Sequence, residues 1–305
     1  MSNSDIQKWV AYVSDFSRKT KAREAYDEFI SALQEKDNRK IENTLVVKAL
    51  NILLRPETKA FKIKLEKDYD ELYRSRKLPY ERLSDETSGI SFISDRNNLN
   101  NYYMTGYDCY GSKEAPLTKS PDGRNNIKGE SYLYLAKDEY TACAETRPDD
   151  KSLLSVAQFK ILQPLLLIDF SKDYVLPEFD ELKSQYDISP ARLLTSIMCQ
   201  FSHPITNSDD YYASQYIADY IRKFRVDGIA YRSSCTNGIN YTIFNSGNTY
   251  IQFVSSKIVN VMCRRYEIVD LNSKKLIKLN PDFFEITDEA INTSVKTVSD
   301  AIKKQ

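Results

Sequence analysis

The sequence is poor in the residues that most often bind metals or carry acid–base catalysis. It contains one histidine, His203, among 305 residues, and its five cysteines form no Cys-x-x-Cys pair. A histidine-rich metal site is therefore excluded, and we expect no structural zinc site and no bound metal. Scattered cysteines in odd number are typical of a reducing compartment. We therefore expect a cytoplasmic protein whose cysteines are small core residues.

The sequence also lacks an excess of charge and long apolar runs. Lys and Arg together number 43, and so do Asp and Glu, so the formal net charge is zero. Nucleic-acid-binding proteins normally have a basic excess, and we expect no nucleic-acid partner. No apolar run approaches the roughly 18 residues of a transmembrane helix. The N-terminus lacks the basic and apolar regions of a signal peptide, so we expect neither a membrane segment nor secretion.

Glycine is missing from both ends of the chain. All eight glycines lie between Gly89 and Gly247. Because glycine serves tight turns, its absence together with amphipathic spacing predicts helices in the first 85 residues. The predicted helical segments are 22–35, 45–54 and 60–76. We therefore predict a helical N-terminal domain over residues 1–85 that contains no β-strand.

The middle of the chain alternates turn signals with short apolar segments. A helix is predicted near 211–225, and β-branched and aromatic residues favour strands around it. The predicted strands are 132–136, 155–161, 165–169, 229–231, 241–244 and 250–254. The class is thus α+β, with an α+β domain over 86–270 and a helical C-terminal tail over 271–305, where Ile286 to Ile302 have amphipathic spacing.

The segment 121–148 holds the first group of residues suited to chemistry. A turn ending at Gly123 delivers Arg124 and Asn126 in a polar loop, and an arginine there can bind a phosphate or a carboxylate through two nitrogens. A strand and a short helix follow, and the helix ends near Glu145. An exposed loop arginine and a solvated glutamate are the alternative interpretation. The glycine spacing matches neither a P-loop nor a Rossmann fingerprint.

The segment 211–246 holds the second group. A helix leads into the strand 229–231, and Ser233 and Ser234 follow at the end of that strand. Polar residues at a strand end beside a glycine-containing loop commonly hold a ligand. An ordinary hairpin is the alternative.

Together the two segments resemble the RES domain family, which is named for an Arg, Glu and Ser signature. The resemblance covers about residues 86–255 and consists of short motifs in the family's order. The motifs are 123–129 (GRNNIKG), 133–136 (LYLA), 141–145 (TACAE), Arg147-Pro148, Ser214-Gln215, 227–229 (DGI) and 231–233 (YRS).

The resemblance implies a fold similar to ADP-ribosyltransferases, with a split β core and NAD+ bound in a cleft as the substrate, not as a cofactor. RES proteins resemble toxins of bacterial toxin–antitoxin pairs. They deplete NAD+ by cleaving the nicotinamide–ribose bond, by hydrolysis or phosphorolysis. The resemblance therefore also implies a cognate antitoxin protein as a partner.

The resemblance also implies roles for individual residues. Glu145 would stabilise the positive charge that develops on the ribose, Arg124 would anchor the phosphates, and Ser233 would supply a positioning hydroxyl. Tyr134 would stack on nicotinamide, and Tyr132 shares its strand face by the period of two. The expected substrate-binding residues are thus Tyr134, Tyr132, Asn126, Arg96 and Ser234. Nicotinamide leaves as a neutral base, so His203 has no expected role.

Two features depart from the family pattern. The family has a further upstream arginine in an aromatic-x-Arg context, and the nearest equivalent here is Arg96. The helical N-terminal region is also additional to a minimal toxin. The unmatched upstream arginine supports one alternative, a non-catalytic, partner-binding module with a degenerate NAD+ cleft. A mono-ADP-ribosyltransferase acting on a protein is the nearest alternative in activity.

Overall fold

The computed structural model describes residues 3–59, 61–78, 90–94, 102–149, 152–172, 180–203, 211–261, 268–269 and 276–277. The helices are α1 (Asn3–Glu35), α2 (Asn38–Asn43), α3 (Leu45–Leu54), α4 (Cys109–Ser112), α5 (Glu139–Glu145), α6 (Asp180–Tyr186), α7 (Pro190–Ser202) and α8 (Tyr212–Arg222). The strands are β1 (Lys62–Leu65), β2 (Leu72–Leu78), β3 (Ile90–Ser94), β4 (Tyr102–Tyr107), β5 (Leu133–Ala136), β6 (Leu153–Ile161), β7 (Leu165–Phe170), β8 (Gly228–Arg232), β9 (Ile239–Ile243), β10 (Ile251–Asn260), β11 (Ile268–Val269) and β12 (Leu276–Ile277). The α+β prediction is confirmed.

The chain divides into two compact units. The first comprises residues 1–73, 113–141 and 159–252, and the second comprises residues 74–112, 142–158 and 253–305. The boundaries predicted after residues 85 and 270 fall on residues outside the described ranges. The predicted helix over 286–302 lies outside them as well.

The first unit contains a mixed sheet with strand order β1–β7–β8–β9–β5. The pair β7–β8 is parallel, and β1–β7, β8–β9 and β9–β5 are antiparallel. Because side chains alternate along a strand, Ile168 and Phe170 of β7 lie on one face with Ile229 and Tyr231 of β8. These four residues belong to a buried apolar core shared with α1, α3, α7 and α8.

The N-terminal helices follow from the sequence pattern. The apolar run of α3 buries seven of its ten residues. The short helix α2 begins after Asp37, whose carboxylate accepts hydrogen bonds from the backbone N–H groups of Arg39 and Lys40. Such an N-cap satisfies amides that have no partner within the helix. The N-terminal region is thus helical from Asn3 to Leu54, and it packs in the core of the first unit.

The second unit carries β2, β6 and β10 as neighbours in that order. Strands β2 and β10 begin, and strand β6 ends, within the first unit. The hairpin β3–β4 also lies in the second unit. At the end of β4, the Tyr107 N–H donates to Ser155 Oγ at 2.8 Å, and Ser256 Oγ donates to the Tyr107 carbonyl at 2.8 Å. These bonds join β4 to β6 and β10.

The predicted absence of strands before residue 85 is wrong from residue 62 onward. Segment 60–76 was predicted to be a helix because Phe61, Leu65, Tyr69 and Leu72 are three or four residues apart. Residues 62–65 also alternate Lys, Ile, Lys and Leu, and antiparallel pairing with β7 selects this period of two. Strands also extend slightly past residue 270, because β12 pairs with β11.

The cysteine prediction also needs correction. Among the described residues, none of Cys109, Cys143, Cys199 and Cys235 is buried. Cys199 lies on α7, whose apolar face is formed instead by Leu193, Leu194, Ile197 and Phe201. Cys263 lies outside the described residues.

Candidate active site

The loop over residues 120–130 is closed by bonds within itself. The Gly123 N–H donates to the Asn126 carbonyl at 2.9 Å, and the Gly129 N–H donates to the Ser120 carbonyl at 3.1 Å. Gly129 has a φ of 90°, in the left-handed region that favours glycine. At Gly123 a Cβ would collide with Asn126 Oδ1 and lie 2.9 Å from the Tyr134 hydroxyl. Both glycines of the GRNNIKG motif are therefore needed to build the loop.

Asn126 forms the centre of this loop. Its side chain is buried, and its Nδ2 donates to the carbonyls of Pro121, Ile127 and Glu130 at 3.0, 3.1 and 2.8 Å. Its Oδ1 accepts from the Tyr134 hydroxyl at 2.6 Å. These bonds occupy the amide, so Asn126 holds the loop together. Its predicted contact with substrate stays a prediction.

Helix α8 holds the loop from a distant part of the chain. Gln215 Nε2 donates to the carbonyls of Gly123 and Asn126, both at 2.9 Å, and Ser214 Oγ donates to the Arg124 carbonyl at 2.5 Å. Ser214 and Gln215 are both buried. Two neighbouring side chains of α8 therefore bind three backbone oxygens of one short turn.

Tyr134 and Asn125 join the loop to the sheet. The Tyr134 hydroxyl accepts from the Asn125 N–H at 3.0 Å, and Asn125 Nδ2 donates to Thr242 Oγ1 at 2.6 Å. Tyr134 on β5 and Thr242 on β9 are direct cross-strand partners. Burial raises the pKa of the Tyr134 phenol above its ordinary value, so this group stays protonated. Asn125 Oδ1 is buried and has no hydrogen-bond partner among the described residues.

Arg124 binds a helix end. One of its terminal nitrogens donates to the Gln200 carbonyl at 3.0 Å, and the other donates to the His203 carbonyl at 3.0 Å. These oxygens lie at the C-terminal end of α7, where the helix dipole is negative and a cation is stabilising. The guanidinium is partly exposed. Its predicted role as a phosphate anchor stays a prediction, and the structure adds a capping role that the sequence did not suggest.

Ser233 lies at the end of β8 and organises the loop that follows. Its Oγ accepts from the N–H groups of Cys235 and Thr236 at 3.0 and 3.1 Å. Its own N–H donates to the Gly238 carbonyl at 2.9 Å. Ser233 is buried, whereas Ser234 is partly exposed with its Oγ 3.8 Å from Cys235 Sγ.

The start of α5 contacts this same loop. The Asp138 carboxylate accepts from the Thr141 N–H at 2.7 Å and from the Thr141 hydroxyl at 2.8 Å. The Thr141 hydroxyl also lies 2.9 Å from the Thr236 hydroxyl. The threonine of the TACAE motif thus contacts the loop that follows the YRS motif.

Tyr132 and Glu145 are not partners in the hydrogen bonds described above. The Tyr132 hydroxyl donates to Glu130 Oε2 at 3.2 Å, and its ring packs edge-on against Phe244 with centroids 5.2 Å apart. Glu145, the last residue of α5, is exposed and belongs to the second compact unit. Arg96 lies outside the described residues.

The residues that sequence reasoning missed are the ones that position the loop. Gln215 was part of a motif but had no predicted role, and Thr242 was absent from the predicted site. One signal was available for Gln215, because Ser214 and Gln215 are polar and lie next to Ala213 on the buried side of an amphipathic helix. A buried polar side chain normally has a hydrogen-bond partner. Thr242 gave no comparable signal, since threonine is common in strands.

The described residues also bear on membrane segments and metal sites. None of the helices in these ranges is both long and apolar enough to cross a membrane. Within the same ranges, no group of three or more His, Cys, Asp or Glu residues could hold a metal ion.

Comparisons with known proteins address the family. No curated protein matches the chain. A solved structure that is similar is the M. tuberculosis MbcT-MbcA toxin-antitoxin complex, with 10% identity and a TM-score of 0.37, over 70% of this chain and 91% of that chain. Residues 106–256 match the model of the RES domain, against a predicted extent of about 86–255. The prediction of a RES domain is therefore confirmed for residues 106–256.

Proposed function

We propose that this protein degrades NAD+ by cleaving its nicotinamide–ribose bond, as the RES family of NAD+-degrading toxins does. One observation carries the proposal. Motifs about 90 residues apart in the sequence are hydrogen-bonded to each other, with Ser214 and Gln215 holding the turn that carries Arg124. A loop held by three separate bonds is a preorganised element, which is what a catalytic site requires.

The chemistry is a displacement at the anomeric carbon of the ribose. The C1′–N1 bond breaks, and its electron pair goes to the pyridine nitrogen, so nicotinamide leaves uncharged. An oxygen of water or phosphate forms the new bond to C1′, and a proton is lost to solvent. The transition state resembles an oxocarbenium ion, and a carboxylate stabilises it. We assign that carboxylate to Glu145.

The remaining proposed roles are those of Ser233 and Tyr134. Ser233 follows β8 and Tyr134 lies on β5, and we propose that the serine hydroxyl and the tyrosine ring position nicotinamide. Hydrogen bonds to the hydroxyl of Tyr134 fix the orientation of its ring. A fixed ring loses little conformational entropy when a ligand stacks on it.

A cognate antitoxin is the proposed protein partner. The RES family is the basis of this proposal, because its toxins are paired with antitoxins that block the cleft. Such a partner is expected to suppress NAD+ cleavage when it is added in equimolar amount.

Product analysis tests the function. Purified protein is incubated with NAD+ labelled in the adenosine part, with and without inorganic phosphate, and the products are separated by chromatography. We expect nicotinamide together with ADP-ribose or its 1″-phosphate. Label recovered on protein would favour the ADP-ribosyltransferase alternative. NAD+ binding without nicotinamide release would favour the non-catalytic module.

A further inference from the structure

Helix α8 contacts two parts of the chain with different side chains. Ser214 and Gln215 bind carbonyl oxygens of the loop over residues 120–130, as described above. Tyr216, the next residue, packs instead against α1, and its ring meets that of Phe29 edge-on with centroids 5.7 Å apart. Phe29 is fully buried in the core that α1 shares with α8. One turn of α8 therefore joins the N-terminal helices to the loop.

Tyr220 makes a second contact with the N-terminal helices, one turn further along α8. Its hydroxyl donates to Asn51 Oδ1 on α3 at 2.8 Å. Its ring stacks on that of Tyr216, with centroids 6.2 Å apart and planes inclined by 20°. Residues four apart lie on the same face of a helix, so the two tyrosines form one stripe that contacts α1 and α3. Contacts at two points along this stripe fix the rotation of α8 about its axis.

Helix α7, which also holds the loop, packs on α1 as well. The Arg124 guanidinium binds carbonyl oxygens at the C-terminal end of α7. At the N-terminal end of α7, the Ser189 N–H donates to the Arg18 carbonyl at 3.1 Å, and Arg18 Nε donates to the Asp187 carboxylate at 2.8 Å. Both helices that hold the loop therefore pack on α1, and all of these elements lie in the first compact unit.

The orientation of α8 matters for the loop because the bonds between them depend on it. Gln215 Nε2 reaches two carbonyl oxygens at 2.9 Å each, and a hydrogen bond weakens steeply when its angle departs from the preferred range. A rotation of α8 would therefore weaken both bonds at once. The close-packed contact between Phe29 and Tyr216 resists such a rotation, because a protein interior leaves little free space into which side chains can move.

We propose that the N-terminal helices are a built-in support for the loop that carries Arg124. Phe29 and Asn51 are the positioning residues of this support, and they act through Tyr216 and Tyr220 of α8. The inference rests on the proposed function and deepens it, because that function makes the loop part of the substrate site. It gives a role to the helices that precede the RES domain match.

Hydrogen exchange of the loop tests the support without any ligand. Backbone N–H groups of residues 120–130 are hydrogen-bonded to carbonyls of the same loop, so their exchange reports its opening. Phe29→Leu removes the ring that meets Tyr216. The matched control is Phe159→Leu in β6, which changes an equally buried phenylalanine outside the core that α1 shares with α8. We expect loop exchange about fivefold faster or more in Phe29→Leu, and within about twofold of the wild type in Phe159→Leu.

The comparison separates a local effect from a general loss of stability. Urea unfolding measures the global stability of both variants, and a merely structural role of Phe29 would speed loop exchange no more than the control does at the same stability. Equal acceleration in Phe29→Leu and Phe159→Leu, or no acceleration in either, overturns the inference.

A milder pair of variants decides if Phe29→Leu does not fold. Asn51 is exposed, and Asn51→Leu removes the acceptor of the Tyr220 hydroxyl, whereas Asn51→Asp keeps one. Only Asn51→Leu should therefore speed loop exchange, by about twofold or more, as the loss of one hydrogen bond implies. Equal loop exchange in these two variants then overturns the inference.

The outcomes also separate this inference from the proposed function. Absence of nicotinamide release from the wild type overturns the function, yet loop exchange still decides the inference because it needs no NAD+. Release of nicotinamide by the wild type, with loop exchange equal in Phe29→Leu and Phe159→Leu, overturns the inference alone.

Discussion

The side-chain Nε2 of Gln215 lies 2.9 Å from the carbonyl oxygen of Gly123. This single contact joins helix α8 to the turn that carries Arg124, across 92 residues of sequence. The same nitrogen reaches the Asn126 carbonyl at 2.9 Å, so one buried amide holds both ends of the turn. The geometry of the Gly-Arg motif thus depends on a residue outside it.

Replacing Gln215 by Leu removes both of these bonds while keeping a side chain of similar volume. Buried carbonyl groups then lose a donor, so we expect the free energy of unfolding to fall by about 1–3 kcal/mol. Urea unfolding measures the change. Gln34→Leu, at an exposed position of α1, is the control and should change stability little. Equal stability of the two variants would show that Gln215 does not hold the turn.

Gly123→Ala tests the close packing within the loop. An added Cβ collides with Asn126 Oδ1 and crowds the Tyr134 hydroxyl, so we expect a loss of about 1–3 kcal/mol in unfolding free energy. The control is Gly247→Ala, where the nearest atom to a new Cβ is Asn245 Oδ1 at 3.4 Å. Thermal unfolding of both variants measures the difference, and a destabilisation no greater than that of the control would contradict the packing argument.

Arg124→Met tests the contact with α7. Two backbone oxygens lose a charged donor, and the helix end loses a favourable cation, so we expect about 1–3 kcal/mol of destabilisation. The control is Arg225→Met, at an exposed position shortly before β8, and it should change stability little. If Arg124 also anchors phosphate, KM for NAD+ rises while kcat changes little, because that contact is equal in ground and transition states. Full stability in Arg124→Met would mean that the capping bonds contribute nothing.

The sequence predicts part of this fold, and strand β1 shows one reason for its failures. Helix α3 and strands β7 and β8 follow from local apolar patterns. Strand β1 does not, because its four residues fit a helical spacing as well, and only pairing with β7 decides between them. Local periodicity contains no information about a partner strand that lies about a hundred residues later in the chain.

The site shows the same limit. The motifs identified the loops that carry Arg124 and Ser233, because a motif is a local pattern of residue types. They could not reveal that Arg124 caps α7, since its partners are backbone oxygens and any residues at positions 200 and 203 could supply them. Backbone contacts leave no trace in side-chain identity, so the sequence gives no signal for them.

His203→Ala tests whether the reaction needs a proton donor. The hydrogen bonds of His203 at the end of α7 use its backbone N–H and carbonyl, which alanine retains. The imidazole itself is exposed. We expect NAD+ turnover to stay within about threefold of the wild type, which is under about 1 kcal/mol of barrier. Steady-state rates of nicotinamide release provide the measurement, and a hundredfold loss would require a different mechanism.

Glu145→Gln is the most direct test of the catalytic assignment. The carboxylate is proposed to face a charge that exists only while the bond to nicotinamide breaks, so its loss raises the barrier without weakening substrate binding. We expect kcat to fall by about a hundredfold or more, the scale of a lost electrostatic stabiliser, with little change in NAD+ affinity. Glu145 is exposed at the end of α5, and urea unfolding of the variant, measured beside its kinetics, separates a folding defect from a catalytic one. Glu139→Gln, at the start of the same helix, is the matched control and should keep its kcat. Near-normal turnover in Glu145→Gln, measured beside direct NAD+ binding, would remove Glu145 from the mechanism, and the catalytic carboxylate would then have to lie elsewhere in the chain.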